Sequence, residues 1–160
     1  MDMENLGWMF GENSGMVWAA LGAALALMIP GIGSALGSAD AGEAAAALST
    51  EEPEKFGQAL ILQTLPASQG LYGFVIGLLI ILEIEAGMSV SDGLYYVMAA
   101  LPITIAGYPS ARGQGRVAVA SFQILAKQPE SVTQGLIYGI MVEMFAVLAF
   151  VGSLLLILFK

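Results

Sequence analysis

Apolar residues run along this chain in four long blocks, at about 16–48, 56–82, 94–125 and 132–159. Each is at least as long as the ~20 residues a helix needs to cross bilayer hydrocarbon, and the first and third are long enough to protrude beyond it. The polar breaks between blocks are short: STEEPEK at 49–55, EIEAGMSVSDG at 83–93 and AKQPES at 126–131. Breaks this short make neighbouring helices antiparallel. The pattern predicts an all-α membrane protein with four transmembrane helices arranged as two hairpins, residues 1–88 and 89–160.

The hairpins read as copies of each other. Pro53-Glu54 recurs as Pro129-Glu130, 76 residues later, and both pairs open an outgoing helix. The same offset, without a gap, sets Gly31, Ser34, Ala35 and Gly37 against Gly107, Ser110, Ala111 and Gly113, and Gln58, Leu60 and Ile61 against Gln134, Leu136 and Ile137. About a third of the paired positions are identical, too many for apolar bias alone in a fixed register. The differences carry information as well. Glu143 falls opposite Ala67 and Gln114 opposite Ser38, so the first hairpin keeps the scaffold without the carboxylate and one ion site per chain is expected.

The first and third blocks are rich in Gly, Ala and Ser, whereas the second and fourth carry Leu, Ile, Phe, Val and Met. Small residues let helices approach closely in lipid. Thin helices beside bulky ones suit a cylinder with the thin helices inside, or else tight packing within a four-helix monomer. The string GIGSALG at 31–37 follows no strand and lies within an apolar helix, so it is a packing motif rather than a nucleotide loop.

Composition narrows the class. Residues are 58% hydrophobic and 11% charged, with a mean hydropathy of +0.80; a soluble domain carries about 25% charged residues. The absence of cysteine and histidine excludes disulfides and imidazole or thiolate metal ligands, and a net charge of −8 argues against nucleic acid. The first residues, MDMENLGWMFGENSG, are acidic where a signal peptide is basic, so the first hydrophobic block is expected to be retained. Lys55, Lys127, Arg112 and Arg116 sit in or near the two hairpin turns, and only Lys160 lies on the other side. The positive-inside rule then places both turns in the cytoplasm and both termini outside.

Candidate chemistry centres on Glu143, the lone acidic or basic side chain between Gly135 and Phe159. A carboxylate at membrane depth costs several kcal/mol and usually marks an ion or proton path, the plainer alternative being a protonated carboxyl that glues helices together. In the second block Leu65, Ser68, Gln69 and Tyr72 are spaced i, i+3, i+4, i+7 and share a helical face. Pro66 removes a backbone donor and loosens the turn before it. Gln114 comes from the third block. A carboxylate, two amides, a hydroxyl and a backbone carbonyl are hard oxygen donors, and a single negative ligand suits a monovalent cation such as sodium. A proton would need the carboxylate alone, and the glutamines could also serve only as interhelical hydrogen bonds.

The runs GEAAAALSTEEPEKFGQALILQTLPASQGLYGFVIG, GQGRVAVASFQILAKQPE and GLIYGIMVEMFAVLAFVGSLLLIL resemble the membrane rotor subunit, the proteolipid or K subunit, of V-type (archaeal-like bacterial) ATPases, and within it the sodium-translocating branch. The resemblance covers nearly the whole chain. It implies identical copies closed into a ring in the cell membrane, turning against a stator membrane subunit with an essential arginine and joined to a central-stalk subunit. It implies no nucleotide site in this chain and no organic cofactor. Residue by residue, it makes Glu143 the ion-carrying carboxylate, and Gln69, Gln114, Ser68 and the Leu65 carbonyl the sodium ligands. Ser68 stands where the branch has threonine, and Tyr72 becomes the hydroxyl that holds the glutamate closed. Arg112 departs from the pattern. Two positions from Gln114, about 200° around the helix, it is expected to point away from the site. In such a ring Asp40 and Arg116, equivalent under the offset, could pair between hairpins, or each could simply be solvated. The readings that compete are a proton-carrying rotor, a stand-alone transporter or channel, and a purely structural tetraspan protein.

Overall fold

The computed structural model describes Gly11 and residues 13–160, and among these every regular element is helical. The reading of the N-terminal residues as a retained, non-signal start falls largely on residues 1–10 and Glu12, outside the described residues. The elements are α1 (Ser14–Glu51), α2 (Phe56–Thr64), α3 (Ser68–Leu82), α4 (Val90–Lys127) and α5 (Val132–Leu158). Short 3-10 turns at Pro53–Lys55, Leu65–Ala67 and Pro129–Ser131 punctuate them. α2, the Leu65–Ala67 turn and α3 together form the second span, so four spans of membrane-crossing length and hydropathy result.

α1 and α4 each contain 38 residues, roughly 57 Å at the helical rise, against hydrocarbon about 30 Å thick. Both begin earlier than hydropathy alone implied. α4 starts at Val90 because Ser89, in extended conformation, caps it by accepting the Asp92 amide at 3.1 Å. The polar residues of 89–93, read from sequence as loop, form that cap and the first turn.

The internal repeat is visible in the turns. Glu52 and Gln128 stop their helices with nearly the same backbone angles, φ −135° and ψ 71° against φ −145° and ψ 71°. The Glu52 amide donates to the Leu48 carbonyl at 2.8 Å, and the Gln128 amide to the Ile124 carbonyl at 2.7 Å. A proline then opens each following 3-10 turn, where its missing N–H costs nothing. Between the hairpins the chain reverses through Gly87, whose φ of +80° is accessible to glycine without a Cβ clash.

α1 and α4 lie against one another with their backbones nearly touching. A Cβ added at Gly33 would stand 2.8 Å from the Tyr108 Cα, and one added at Gly115 would stand 2.6 Å from the Gly37 Cα. The small residues of the first and third blocks are therefore spent on backbone approach, as lipid-embedded helices require. Two apolar clusters fill the interior. One is built from Ala19, Ala23, Ala26, Ile76, Ile80, Tyr96 and Ile103, the other from Ala41, Ala45, Leu62, Ala118, Phe122 and Leu125. The layer between them is polar.

Lysines tie helix ends together, Lys55 across the two hairpins and Lys160 within the second. Lys55 Nζ donates to the Ala126 carbonyl at the end of α4, at 2.8 Å, and pairs with Glu52. Lys160 pairs with Asp92 at 3.0 Å and lies 4.2 Å from the Tyr96 ring centre. Partial burial opposes the Lys160 charge, but hydrogen bonding and attraction from Asp92 and Tyr96 outweigh it and raise its pKa above the usual lysine value.

The expected pairing of Asp40 with Arg116 is not what the fold produces. Asp40 accepts from Arg112 at 2.7 Å, within one chain. The two positions equivalent in the repeat occupy equivalent places in different hairpins. The α1–α4 packing brings Asp40 level with Arg112, one turn before Arg116.

Gly115→Leu should cost at least the 1–3 kcal/mol typical of overpacking, about the upper end, because the atoms it meets are backbone. Gly57, where an added Cβ meets nothing within 4 Å, should gain stability on Gly57→Ala, by up to about 1 kcal/mol from helix propensity. Thermal unfolding of the purified protein in detergent checks both directions.

Candidate ion-binding site

The polar layer is assembled by three spans. The Leu65–Ala67 turn supplies Leu65 and α3 supplies Ser68, Gln69 and Tyr72; α4 supplies Ser110 and Gln114; α5 supplies Gly139 and Glu143. Gln69 and Gln114 are completely buried, so in a membrane-embedded layer their amides must find partners inside the protein.

They do so in one continuous network. Gln69 Nε2 donates to Gln114 Oε1 at 2.6 Å and to Ser110 Oγ at 3.2 Å. Gln114 Nε2 donates to the Gly139 carbonyl at 3.1 Å and to Glu143 Oε2 at 3.4 Å. The other carboxylate oxygen, Oε1, accepts the Tyr72 hydroxyl at 2.6 Å. Ser110 donates its own proton to the Val142 carbonyl at 3.1 Å. Both protons of each amide are thereby used, which fixes the orientation of the amides and leaves the Gln69 Oε1 atom with only the Ser68 hydroxyl near it, at 3.4 Å.

Pro66 is buried and lies against α1, its Cβ 3.0 Å from where a Cβ on Gly37 would stand. The missing proline N–H ends the α-helical ladder of α2, and the chain tightens to a 3-10 turn. The Leu65 carbonyl accepts both the amide and the hydroxyl of Ser68, the latter at 3.1 Å. Leu65 and Ser68 thus form one unit at the edge of the network.

All seven residues singled out from sequence come together here. Arg112, as anticipated, is directed elsewhere, toward Asp40 on α1. Three contributors were not singled out. Ser110 braces Gln69 against α5; Ser34 on α1 accepts the Gly70 amide at 2.8 Å; Gly139 lets Gln114 reach a backbone carbonyl, since a Cβ there would sit 2.8 Å from Leu65 Cδ1. The signal for the serines was present in the repeat, where Ser34 and Ser110 are equivalent, and Ser110 lies one turn before Gln114. Gly139 stands one turn before Glu143.

No three Asp, Glu, His or Cys residues cluster among the described residues. One carboxylate among neutral oxygens can compensate a single positive charge, and a divalent ion would leave excess charge in a dry layer.

Comparison with known proteins agrees with this architecture. The family of the ATP synthase C subunit matches residues 21–80 and again residues 97–156, two units that begin 76 residues apart. The chain is 56% identical over 147 residues to the V-type sodium ATPase subunit K of Enterococcus hirae, covering 92% of this chain and 94% of that protein. It is 33% identical over 142 residues to the A-type ATP synthase subunit K of Methanocaldococcus jannaschii, covering 89% and 62% of the two proteins. The 16 kDa proteolipid of the V-type proton ATPase of Ovis aries is 25% identical over 146 residues, covering 91% and 94%. With a family match over residues 21–80 and again over 97–156 and four membrane-length spans, the chain belongs to the family of the ATP synthase C subunit.

Proposed function

We propose that this chain is a rotor-ring subunit of a rotary V-type ATPase and carries sodium across the membrane on Glu143. The observation that carries the reading is the Glu143 carboxylate, held mid-span by Tyr72 and Gln114 beside neutral oxygen donors. The sodium ligands in this reading are Glu143, Gln69, Gln114, Ser68 and the Leu65 carbonyl, with Tyr72 and Pro66 as support. The name of the Enterococcus hirae relative supports sodium as the cargo.

Loaded with sodium, the carboxylate is neutralised and can face lipid; empty and charged, it cannot. Rotation past a stator subunit bearing an arginine would favour sodium release, and two offset half-channels would give each site access to one side at a time. Copies of the chain form the ring, a central-stalk subunit joins it to the ATP-hydrolysing head, and this chain performs no bond chemistry itself. In this reading residues 1–88 and 89–160 are the two hairpin units, with both turns cytoplasmic and both termini outside.

Dicyclohexylcarbodiimide, which attacks protonated carboxyls in apolar surroundings, should label Glu143 selectively in the membrane-embedded complex. Sodium at ten times its dissociation constant should slow that labelling about tenfold by mass action, and potassium should not. Labelling that depends on pH alone would replace sodium with protons as the cargo and leave the rotor role standing. Labelling that maps to Glu83 or Glu85 would remove the site.

Single substitutions separate the roles within the site. Gln114→Ala removes a ligand and should weaken sodium protection while leaving the carboxyl reactive. Ser110→Ala removes no proposed ligand, yet it strands a buried Gln69 N–H at a cost of about 1–3 kcal/mol. The sodium concentration giving half-protection should therefore rise by roughly tenfold. Unchanged protection in Ser110→Ala would show that Gln69 needs no brace.

A further inference from the structure

Glu143 is not the only charge at the depth of the ion layer. Arg112 lies in α4 between Ser110 and Gln114, both members of the polar network, so its backbone stands at the same depth. The proposed ion cycle gives it no part. Two residues from Gln114 it points about 200° away around the helix, and its guanidinium donates to Asp40 on α1 at 2.7 Å. Among the described residues this is the one ion pair that joins two mid-helix positions; the other two, Glu52–Lys55 and Asp92–Lys160, sit at helix ends. The next acidic residue of α1, Glu43, and the next basic residue of α4, Arg116, are exposed.

We infer that Asp40 is a positioning residue for ion affinity: it holds Arg112 against α1 and cancels its charge, so that the chain's own arginine does not expel the cation carried on Glu143. The inference rests on the sodium reading of the site. Arg112 and Gln114 leave α4 on opposite sides, and a helix with its side chains is about 10–12 Å across. Glu143 Oε2 lies 3.4 Å beyond the Gln114 amide, which puts the guanidinium on the order of 15 Å from the carboxylate. A lone positive charge at that range, with an effective dielectric near 20, lowers cation occupancy about fivefold. The side chains of Arg112 and Asp40 are 32% and 42% exposed, and solvent screening reduces the effect to about threefold. Paired with Asp40, the guanidinium presents only a dipole at this distance, and the two contributions nearly cancel.

The pair acts without touching the ion. Among the described residues the Arg112 and Asp40 side chains hydrogen-bond each other and no member of the polar network. Arg112 also differs from the arginine proposed on the stator, which meets each site only as the site passes. An unpaired Arg112 would repel sodium from its own site at every position of the ring. A pair that merely ties α1 to α4 behaves differently from one that sets a field. A tie is lost whichever partner is removed, so both removals have the same effect. A field changes sign, because removing Asp40 leaves a positive charge beside the ion layer and removing Arg112 leaves a negative one.

Carbodiimide labelling of Glu143 in the membrane-embedded complex, titrated with sodium at fixed pH and ionic strength, separates the two roles. Asp40→Asn should raise the sodium concentration for half-protection about threefold. Arg112→Met, which keeps most of the aliphatic volume, should lower it by a similar factor. The double variant should return close to the wild-type value, and Asp40→Glu, which keeps the charge, should stay near it. Single variants that shift half-protection in the same direction, or not at all, would reduce the pair to a packing tie and overturn the inference. A double variant no closer to wild type than Asp40→Asn would do the same. Should Asp40→Asn fail to assemble, the sign of the Arg112→Met shift decides. Wild-type labelling that ignores sodium would overturn the sodium reading and this inference with it, whereas equal sodium protection in wild type and variants overturns the inference alone.

Discussion

A carboxylate and two amides at membrane depth have no water to turn to, and the fold is organised around supplying their partners. Glu143 takes one hydrogen bond from Tyr72 on α3 and one from Gln114 on α4. Gln69 and Gln114 bond each other and spend their remaining protons on Ser110 and Gly139. Removing any member leaves another polar group unpaired in a low-dielectric layer, which costs more than the bond itself contributes in water. The apolar clusters flank this layer on either side, and between them Gln69 and Gln114 are fully buried while Ser68, Tyr72 and Glu143 are half-buried at its edge.

That packing is possible because α1 and α4 approach to backbone contact. Glycines at 33, 37 and 115 remove the side chains that would hold the helices apart, and the approach fixes the rotation of α4 about its axis. Once α4 is fixed, Ser110 and Gln114 face the second and fourth spans, and Arg112 necessarily faces α1, where Asp40 meets it. The same rotation thus sets both the polar network and the ion pair.

Duplication explains the scaffold, and divergence from it explains the chemistry. The turns at Glu52 and Gln128 share backbone angles and hydrogen bonds almost atom for atom. Lys55 has no basic counterpart, since Ser131 occupies the equivalent position, and it clamps the two hairpins at one end only. Glu143 stands opposite Ala67 and Gln114 opposite Ser38, so the carboxylate and its amide partner have no counterpart in the first hairpin. A one-sided site of this kind permits a lone carboxylate per chain without a second buried charge to neutralise.

The four spans, their hairpin pairing, the internal repeat and the seven residues that meet around the polar layer were legible from sequence alone. They depend on local facts: the length of apolar runs, the i, i+3, i+4, i+7 spacing of Leu65, Ser68, Gln69 and Tyr72, and a single carboxyl in hydrocarbon. What only the tertiary structure decided was register between helices. Hydropathy placed the start of α4 late, because the Ser89 cap and the first turn are polar although helical. The repeat suggested Asp40 with Arg116, but helix packing brought Asp40 level with Arg112, one turn earlier. Ser110, Ser34 and Gly139 entered the network for the same reason. Which residues of two helices meet depends on their relative rotation and axial offset, and these are set by the sum of glycine contacts along the whole α1–α4 interface rather than by any local stretch of sequence.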